Sequence, residues 1–541
     1  MPLSFSPVGA LVTTLLVSQC LARGTSLDVY LDIGTFRGVA TVGGTEKWLG
    51  IPFAEPPVGP LRFKAPVPIS KTLSGVQNAS AFGNACPQPP NSNPGLGAPI
   101  AEDCLYFNVW RPEGTTSESK LPVLVWIHGG AWTILSSSSP AFDPTRIIQR
   151  SVAIGKPIIF VSMNYRLNTF GYLASAAMLP EDLNAGLSDQ RLALQLLQRN
   201  LKEFGGDPSK VTIWGQSAGA GSVESHFLYP STQNLFRAGI CDSSVGPYKN
   251  SPNASTYDLP GKPFARLLAA TGCPAGNTSP FLLAEKTLLN ISNAMVSTAL
   301  NAQLWEPAVG PEGSFITERA SARIARGDFL RLPYMGGTNV NEGTLFSTSV
   351  LGLNLEGAAQ DNAFVNFIGH SVIDNSTLTA PVLAKILSLF PANDSSLGAP
   401  FNSGDSLFDR VGAWYTDAMF LAPRRLFAAT AAPLQRVFSY YFAELISGSP
   451  AVLGVSHGSE LQLLLGPAPP TVEANFTAQM MDYYLNFVND LNPGAGWSAY
   501  DVNEPQVLQL KRDNTTMIAD DWDLDKTTFL NSPVVLDEFE K

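Results

Sequence analysis

A serine hydroxyl attacks a carbonyl carbon only when a neighbouring base takes its proton, so a chain built for such chemistry must present a serine where a base can reach it. The stretch "VTIWGQSAGAGS", Val211 to Ser222, offers one. A β-branched and aromatic run leads into Gly-x-Ser-x-Gly and then into small helix formers. A strand that reverses into a helix within a few residues forces its corner residue into a strained backbone conformation. Small neighbours at Gly215 and Gly219 leave room for that close strand-to-helix approach, with Ser217 held out at the strand's end. The pentapeptide alone also reads as a Gly/Ser turn without chemistry, because so short a pattern arises by chance in long chains. Its partners have to decide.

The chain has four histidines. His128 ends a predicted strand and opens "HGGAW", His226 sits in the helix expected after the serine, and His370 reads as a surface residue. Only His457, in "GVSHGSEL", is both late in the chain and flanked by small turn-forming residues after a predicted strand, where a loop can carry an imidazole over the sheet's edge. The acid that orients such a base lies between serine and histidine in chain order. Glu342, in "YMGGTNVNEGTLF", is best placed, on an Asn/Gly turn after a strand ending at Thr338. Asp405, in "NSGDSLF", is the competitor, and local pattern favours Glu342 without eliminating it. A tetrahedral intermediate also needs backbone donors, and the two glycines of "HGGAW" suit a strand-to-loop turn where N–H groups converge. The expected donors are Gly130, Ala131 and Ala218. No HExxH or paired CxxC occurs, so neither a metal nor an organic cofactor is expected.

These groups require a scaffold that puts strand ends at one edge. Short apolar runs read as buried parallel strands: Pro122 to His128, Pro157 to Tyr165, Val211 to Gly215, Ala238 to Ser244 and Val437 to Leu445. Helical periodicities alternate with them, clearest over Ser188 to Phe204, with Leu192, Leu196 and Leu197 on one side and Ser188 as its cap. The alternation predicts an α/β fold, a large and mostly parallel central sheet with helices on both faces.

Composition agrees. The chain has 541 residues, of which 45% are hydrophobic and 15% charged, enough to bury a large core. Its net charge of −11 comes from scattered acidic residues, which suggests neither a nucleic-acid face nor a patch for anionic membranes. An apolar run from Val8 to Val17 followed by small residues fits a signal peptide over residues 1–22, leaving 23–541 as a single catalytic domain. No later stretch is long and apolar enough for stable membrane insertion, so a secreted, extracellular protein is expected. Eight Asn-x-Ser/Thr sequons fit that route: Asn78, Asn253, Asn277, Asn290, Asn375, Asn393, Asn475 and Asn514. Removing the leader leaves Cys86, Cys104, Cys241 and Cys273, an even set with three connectivities. Proximity favours Cys86 with Cys104, and Cys241 then pairs with Cys273 by default.

The chain resembles the type-B carboxylesterase/lipase family of α/β-hydrolases, which also contains cholinesterases and neuroligins. The resemblance runs through "WLGIPFAEPPVGPLRF" (Trp48 to Phe63), "EDCLYFNVW" (Glu102 to Trp110), "WIHGGAW", "VSMNYRLNTFGYLA", "GLSDQRLALQLLQRNLKEFGGDPSKVTIWGQSAGA", "NVNEGT" and "GVSHGSEL". It implies an α/β-hydrolase fold, with Ser217 as nucleophile, Glu342 as acid, His457 as base, and oxyanion donors at Gly130, Ala131 and Ala218. It further implies a Cys86–Cys104 bridge, ion pairs Arg62–Glu102 and Arg166–Asp189, and support of the histidine by Ser243. The chain departs from the pattern at Gln216, where Glu is common, at Ala131 in place of a third glycine, and at Trp132 where Phe is more frequent. No aromatic lies between Pro87 and Asp103, so choline specificity is not expected.

The resemblance implies a serine carboxylic-ester hydrolase acting on small-molecule esters through an acyl-enzyme. Two other readings remain: a lipase or sterol esterase of the same family, and a non-catalytic recognition module, as arose where family members lost the serine. Lipases of the family carry an amphipathic lid in the first disulfide loop. Here "PQPPNSNPGLGAPIAED" offers only Leu96 and Ile100 as large apolar groups, which predicts an esterase without an interfacial switch.

Overall fold

The computed structural model describes residues 1, 27–90, 95–245, 251–273 and 285–540. The proposed leader, residues 1–22, lies almost entirely outside them, and Asn277 lies wholly outside. A small sheet is formed by β1 (Asp28–Leu31), β2 (Gly34–Arg37) and β5 (Val76–Asn78). The other strands are β3 (Val39–Ala40), β4 (Thr45–Pro52), β6 (Tyr106–Pro112), β7 (Leu121–Ile127), β8 (Ile159–Met163) and β9 (Gly206–Gln216). They continue with β10 (Ala238–Asp242), β11 (Tyr334–Asn339), β12 (Val437–Phe442), β13 (Gln506–Leu510) and β14 (Thr516–Ala519). These make one 11-stranded sheet in the order β14-β13-β12-β11-β10-β9-β7-β8-β6-β4-β3. Pairing is parallel from β8 through β7, β9, β10, β11 and β12 to β13, and antiparallel at both margins.

Side-chain alternation along each strand divides the core in two. Val123, Val125 and Ile127 of β7, with Ile159 and Val161 of β8, face one apolar layer. Leu124, Trp126, Phe160 and Trp214 face the other. Helices Ala185–Asn200 and Ala218–Leu228 cover the first layer, and Thr145–Ala153 and Ala474–Asp490 cover the second. With both faces covered, the central strands need no polar alternation, which is why they read as unbroken apolar runs.

Two expectations are corrected. The helix predicted from Ser188 begins at Ala185, and Ser188 lies inside it. Its start is fixed by tertiary contacts: Asn184, at φ 58°, donates from Nδ2 to Ala308 O at 2.8 Å and accepts from Ala308 N at 2.8 Å. The default pairing of Cys241 with Cys273 is also absent. Cys86 and Cys104 form a disulfide, whereas Cys241 and Cys273 are both thiols. Cys241 belongs to the central strand β10, where its Sγ is directed at Ala220 O beneath the helix that follows Ser217. Cys273 comes just after Gly272, which ends the helix Pro263–Thr271, and is partly exposed. Burial raises the Cys241 thiol well above its ordinary value, keeping it protonated and inert.

The bridged loop is tied down where it is described. Ala85 N donates to Pro99 O and Ala101 N to Ala85 O, while Ser138 Oγ donates to Leu96 O at 2.5 Å. Gln88, fully buried, exchanges two 2.9 Å hydrogen bonds with the backbone of Leu135, and Asn168 Nδ2 holds Pro87 O at 2.8 Å. The implied ion pairs are both present and buried. Arg62 Nε meets Glu102 Oε2 at 2.8 Å, and Arg166 engages both oxygens of Asp189 at 2.8 and 2.6 Å. Such forked pairs fix the loops at the strand ends, and removing one partner leaves a buried charge at a cost of about 3–5 kcal/mol. Among the described residues no helix is long and apolar enough to cross a membrane. The seven sequon asparagines within the described residues are exposed.

Candidate active site

Strand β9 ends at Gln216 and a helix starts at Ala218, so Ser217 makes the whole reversal alone, at φ 59° and ψ −127°. An L-residue is strained there. The tightness of the turn explains its glycines. A Cβ on Gly215 would lie 2.2 Å from the Gly219 carbonyl carbon, and one on Gly219 would lie 2.1 Å from Ile127 O. Ser217 N donates to Asp242 O at 2.9 Å, which anchors the corner to β10.

The loop after β7 closes against this corner, since a Cβ on Gly129 would come within 2.9 Å of Ser217 Cβ. Gly130, Ala131 and Trp132 all have positive φ, at 98°, 54° and 54°. Among the described residues nothing accepts from the N–H of Gly130 or Ala131. Ala218 opens its helix and so has no intrahelical acceptor for its N–H. Trp132 is buried and donates from Nε1 to Ser222 Oγ at 3.2 Å, bracing the loop on the helix after Ser217.

Glu342 follows β11 and His457 follows β12, adjacent parallel strands that deliver both to the same edge. His457 Nδ1 lies 2.6 Å from Glu342 Oε2, with the glutamate side chain fully buried and the histidine side chain 7% exposed. Asn339 N donates to Glu342 Oε1 at 2.6 Å and so fixes the second oxygen. The competitor Asp405 is elsewhere employed: it caps the helix Ser406–Thr416, accepting from Leu407 N and Phe408 N, and also takes Gly352 N. The other histidines are accounted for by local contacts. His128 stacks on Tyr165, and burial lowers its pKa to about 4. His226 is buried against Gln190, and His370 bonds Asn366 O on the surface.

Three features lay beyond the sequence pattern. The Gln216 side-chain nitrogen lies 3.1 Å from His457 Nε2, and among the described residues no hydrogen bond joins Ser217 Oγ to the ring. Phe346 and Phe420 pack on the imidazole with ring centres 5.1 and 4.8 Å away. Behind the glutamate lie two further buried carboxyls. Asp242 accepts from Trp214 Nε1 at 2.6 Å, Tyr484 OH at 2.8 Å and Tyr440 OH at 3.0 Å. Glu460 accepts from Asn339 Nδ2 at 2.6 Å. The signal for Gln216 was its departure from the common Glu, and Glu460 sits three residues after His457 in a motif already singled out. Ser243 makes no hydrogen bond to the histidine: it is buried at φ 50° and its Oγ has no partner among the described residues.

The sequence model of the carboxylesterase family matches residues 25–527. The chain belongs to the carboxylesterase family. "Secreted lipase 1" of Botryotinia fuckeliana is 36% identical over 505 residues, spanning 85% of this chain and 84% of its own. "Lipase 1" of Geotrichum candidum is 31% identical over 91% of this chain and 93% of its own. The crystal structure of Aspergillus niger EstA superposes with a TM-score of 0.81 at 27% identity, covering 95% of this chain and 99% of that one. This carboxylesterase-family chain has the α/β-hydrolase fold and is a carboxylic-ester hydrolase.

The buried carboxyls give the family member a pH signature. Burial pushes Asp242 up to about 7, outweighing its three donors, and Glu342 nearby adds to the rise. Burial, then Asp242 and Glu342, raise Glu460 well above the ordinary carboxylate range. Between about pH 4, the usual carboxylate value, and about pH 7, folded Asp242 keeps a proton that the unfolded chain releases. Stability from this group therefore falls as pH rises through that window. Asp242→Asn, which cannot ionise, should gain stability relative to wild type from pH 4 to pH 7, by a few kcal/mol at most. Urea unfolding at several pH values checks this; a difference that stays constant with pH contradicts it.

Proposed function

We propose that the hydrolase works through a covalent acyl-enzyme on Ser217, with His457 as base and Glu342 as its orienting acid. The observation that carries the reading is the 2.6 Å contact between Glu342 Oε2 and His457 Nδ1 at the strand edge where Ser217 forms the corner. A proton on Nδ1 leaves Nε2 as the acceptor. His457 takes the Ser217 proton as Oγ bonds to the ester carbonyl carbon, and the buried Glu342 charge balances the imidazolium. The N–H groups of Gly130, Ala131 and Ala218 receive the oxyanion. Nε2–H then protonates the departing alkoxide as the C–O bond breaks. Water, activated by the same nitrogen, attacks the acyl carbon and frees the acid and Ser217. No step requires a metal or organic cofactor.

The substrates we assign are soluble or short to medium acyl esters, although the relatives named above include lipases. The support is the bridged loop. Its described residues form no helix, and Gln88, Leu96 and Pro87 are pinned to the protein body. Only Leu96 and Ile100 could cover or release an apolar surface, too little to offset a switch at an oil interface. Residues 1–22 are read as a cleaved leader, with residues 23–541 as one catalytic domain. The exposed sequons and the name "Secreted lipase 1" of one relative support an extracellular location.

Ser217→Ala and His457→Ala should each remove most of kcat, and the double variant should be no slower than either alone, because the residues act as one unit. Losses that multiply would assign them separate roles. Rates on a short-chain triacylglycerol, followed across its solubility limit in stirred emulsion, should saturate smoothly. A severalfold jump at that limit would replace esterase with lipase.

A further inference from the structure

The Gln216 side chain occupies the atom that the reaction needs. In the neutral His457 ring a proton on Nδ1, bonded to Glu342 Oε2 at 2.6 Å, leaves a lone pair on Nε2. The Gln216 side-chain nitrogen is 3.1 Å from it, and an amide NH2 can only donate. The contact lies in a fitted slot. A Cβ on Gly458 would come within 3.3 Å of Gln216 Nε2, and a Cβ on Gly129 within 3.1 Å of Gln216 Oε1. Gly129 belongs to the loop after β7, and Gly458 directly follows His457 at φ 76°. Two glycines from separate loops thus leave room for this amide beside this ring.

We propose that Gln216 is a positioning residue for the base: in the substrate-free enzyme its amide donates to the His457 Nε2 lone pair and yields that lone pair to the Ser217 hydroxyl when catalysis begins. This rests on the assignment of Ser217 and His457 as nucleophile and base. The chemical consequence follows from the residue type. An amide N–H bonds only the unprotonated ring, whereas a carboxylate at the same place could accept only from the protonated one. Gln216 thus sets a neutral donor beside Nε2, where Glu would set a negative charge that favours the imidazolium. Among the described residues, the charged and titratable groups facing the ring are Glu342 on Nδ1, with Asp242 and Glu460 buried behind that glutamate. Phe346 and Phe420 supply only apolar contact.

The test is the titration of the His457 ring, followed by NMR on protein with labelled histidine and assigned by the signal lost in His457→Gln. The parent is Ser217→Ala, in which the hydroxyl cannot replace the amide as donor. Gln216→Met, which keeps length but removes the donor, should raise the midpoint by about half a unit to one unit. Gln216→Glu should raise it by roughly one to three units. A Met variant whose titration coincides with the parent overturns the proposal, even if the Glu variant shifts, because a nearby charge acts without the hydrogen bond. Should the Met protein not fold, Gln216→Leu, which also removes the donor without adding a charge, decides in its place: a raised midpoint supports the proposal and an unchanged midpoint overturns it. Failure of the nucleophile assignment would show separately, as ester turnover surviving in Ser217→Ala itself.

Discussion

Ser217 stands at its corner because two stretches of backbone approach more closely than any side chain would allow. Helix Ala218–Leu228 passes so near β9 and the end of β7 that Gly215 and Gly219 can bear no Cβ. The remaining geometry follows from that approach. The helix starts directly after Ser217, the loop from Gly129 to Trp132 packs against the corner, and β10 anchors it through Asp242 O. Any bulk at either glycine would push the helix off the sheet and displace the Ser217 hydroxyl with it. The strain at Ser217 is sustained by packing on both faces of the central strands.

A second constraint is electrostatic. The edge that carries His457 buries the carboxyls Glu342, Asp242 and Glu460, with no arginine or lysine among their hydrogen-bond partners in the described residues. Mutual repulsion and lost hydration favour keeping protons on Asp242 and Glu460. Glu342 alone of the three bonds the imidazole, through one oxygen, while a backbone N–H holds the other. The two neighbours preserve shape through hydrogen bonds from Trp214, Tyr440, Tyr484 and Asn339.

Most of the scaffold was legible because its signals are local. Apolar runs gave the central strands, the glycine pattern gave the corner, and the short cysteine spacing gave Cys86–Cys104. Glu342 was reachable because it closely follows a strand, and His457 because small turn-forming residues flank it late in the chain. What escaped depends on contacts distant in sequence. The helix thought to start at Ser188 starts at Ala185 because Asn184 is held by Ala308. Asp405 looked like a catalytic acid, yet an aspartate before a helix is also an N-cap, and that is its use here. Cys241 and Cys273 were paired by arithmetic, which knows nothing of a thiol buried in a central strand. Gln216 stood out as a departure, but only the fold reveals that its amide turns toward Nε2 of a histidine 241 residues away.

The central claim is that His457, oriented by Glu342, activates Ser217. A fluorophosphonate probe reacts with such a serine, forming a P–O bond to Oγ as fluoride leaves. Peptide mass mapping of the labelled protein should place a single adduct on Ser217, abolished in Ser217→Ala and strongly slowed in His457→Ala. An adduct on another serine, or labelling of Ser217 at an undiminished rate without His457, would contradict the account.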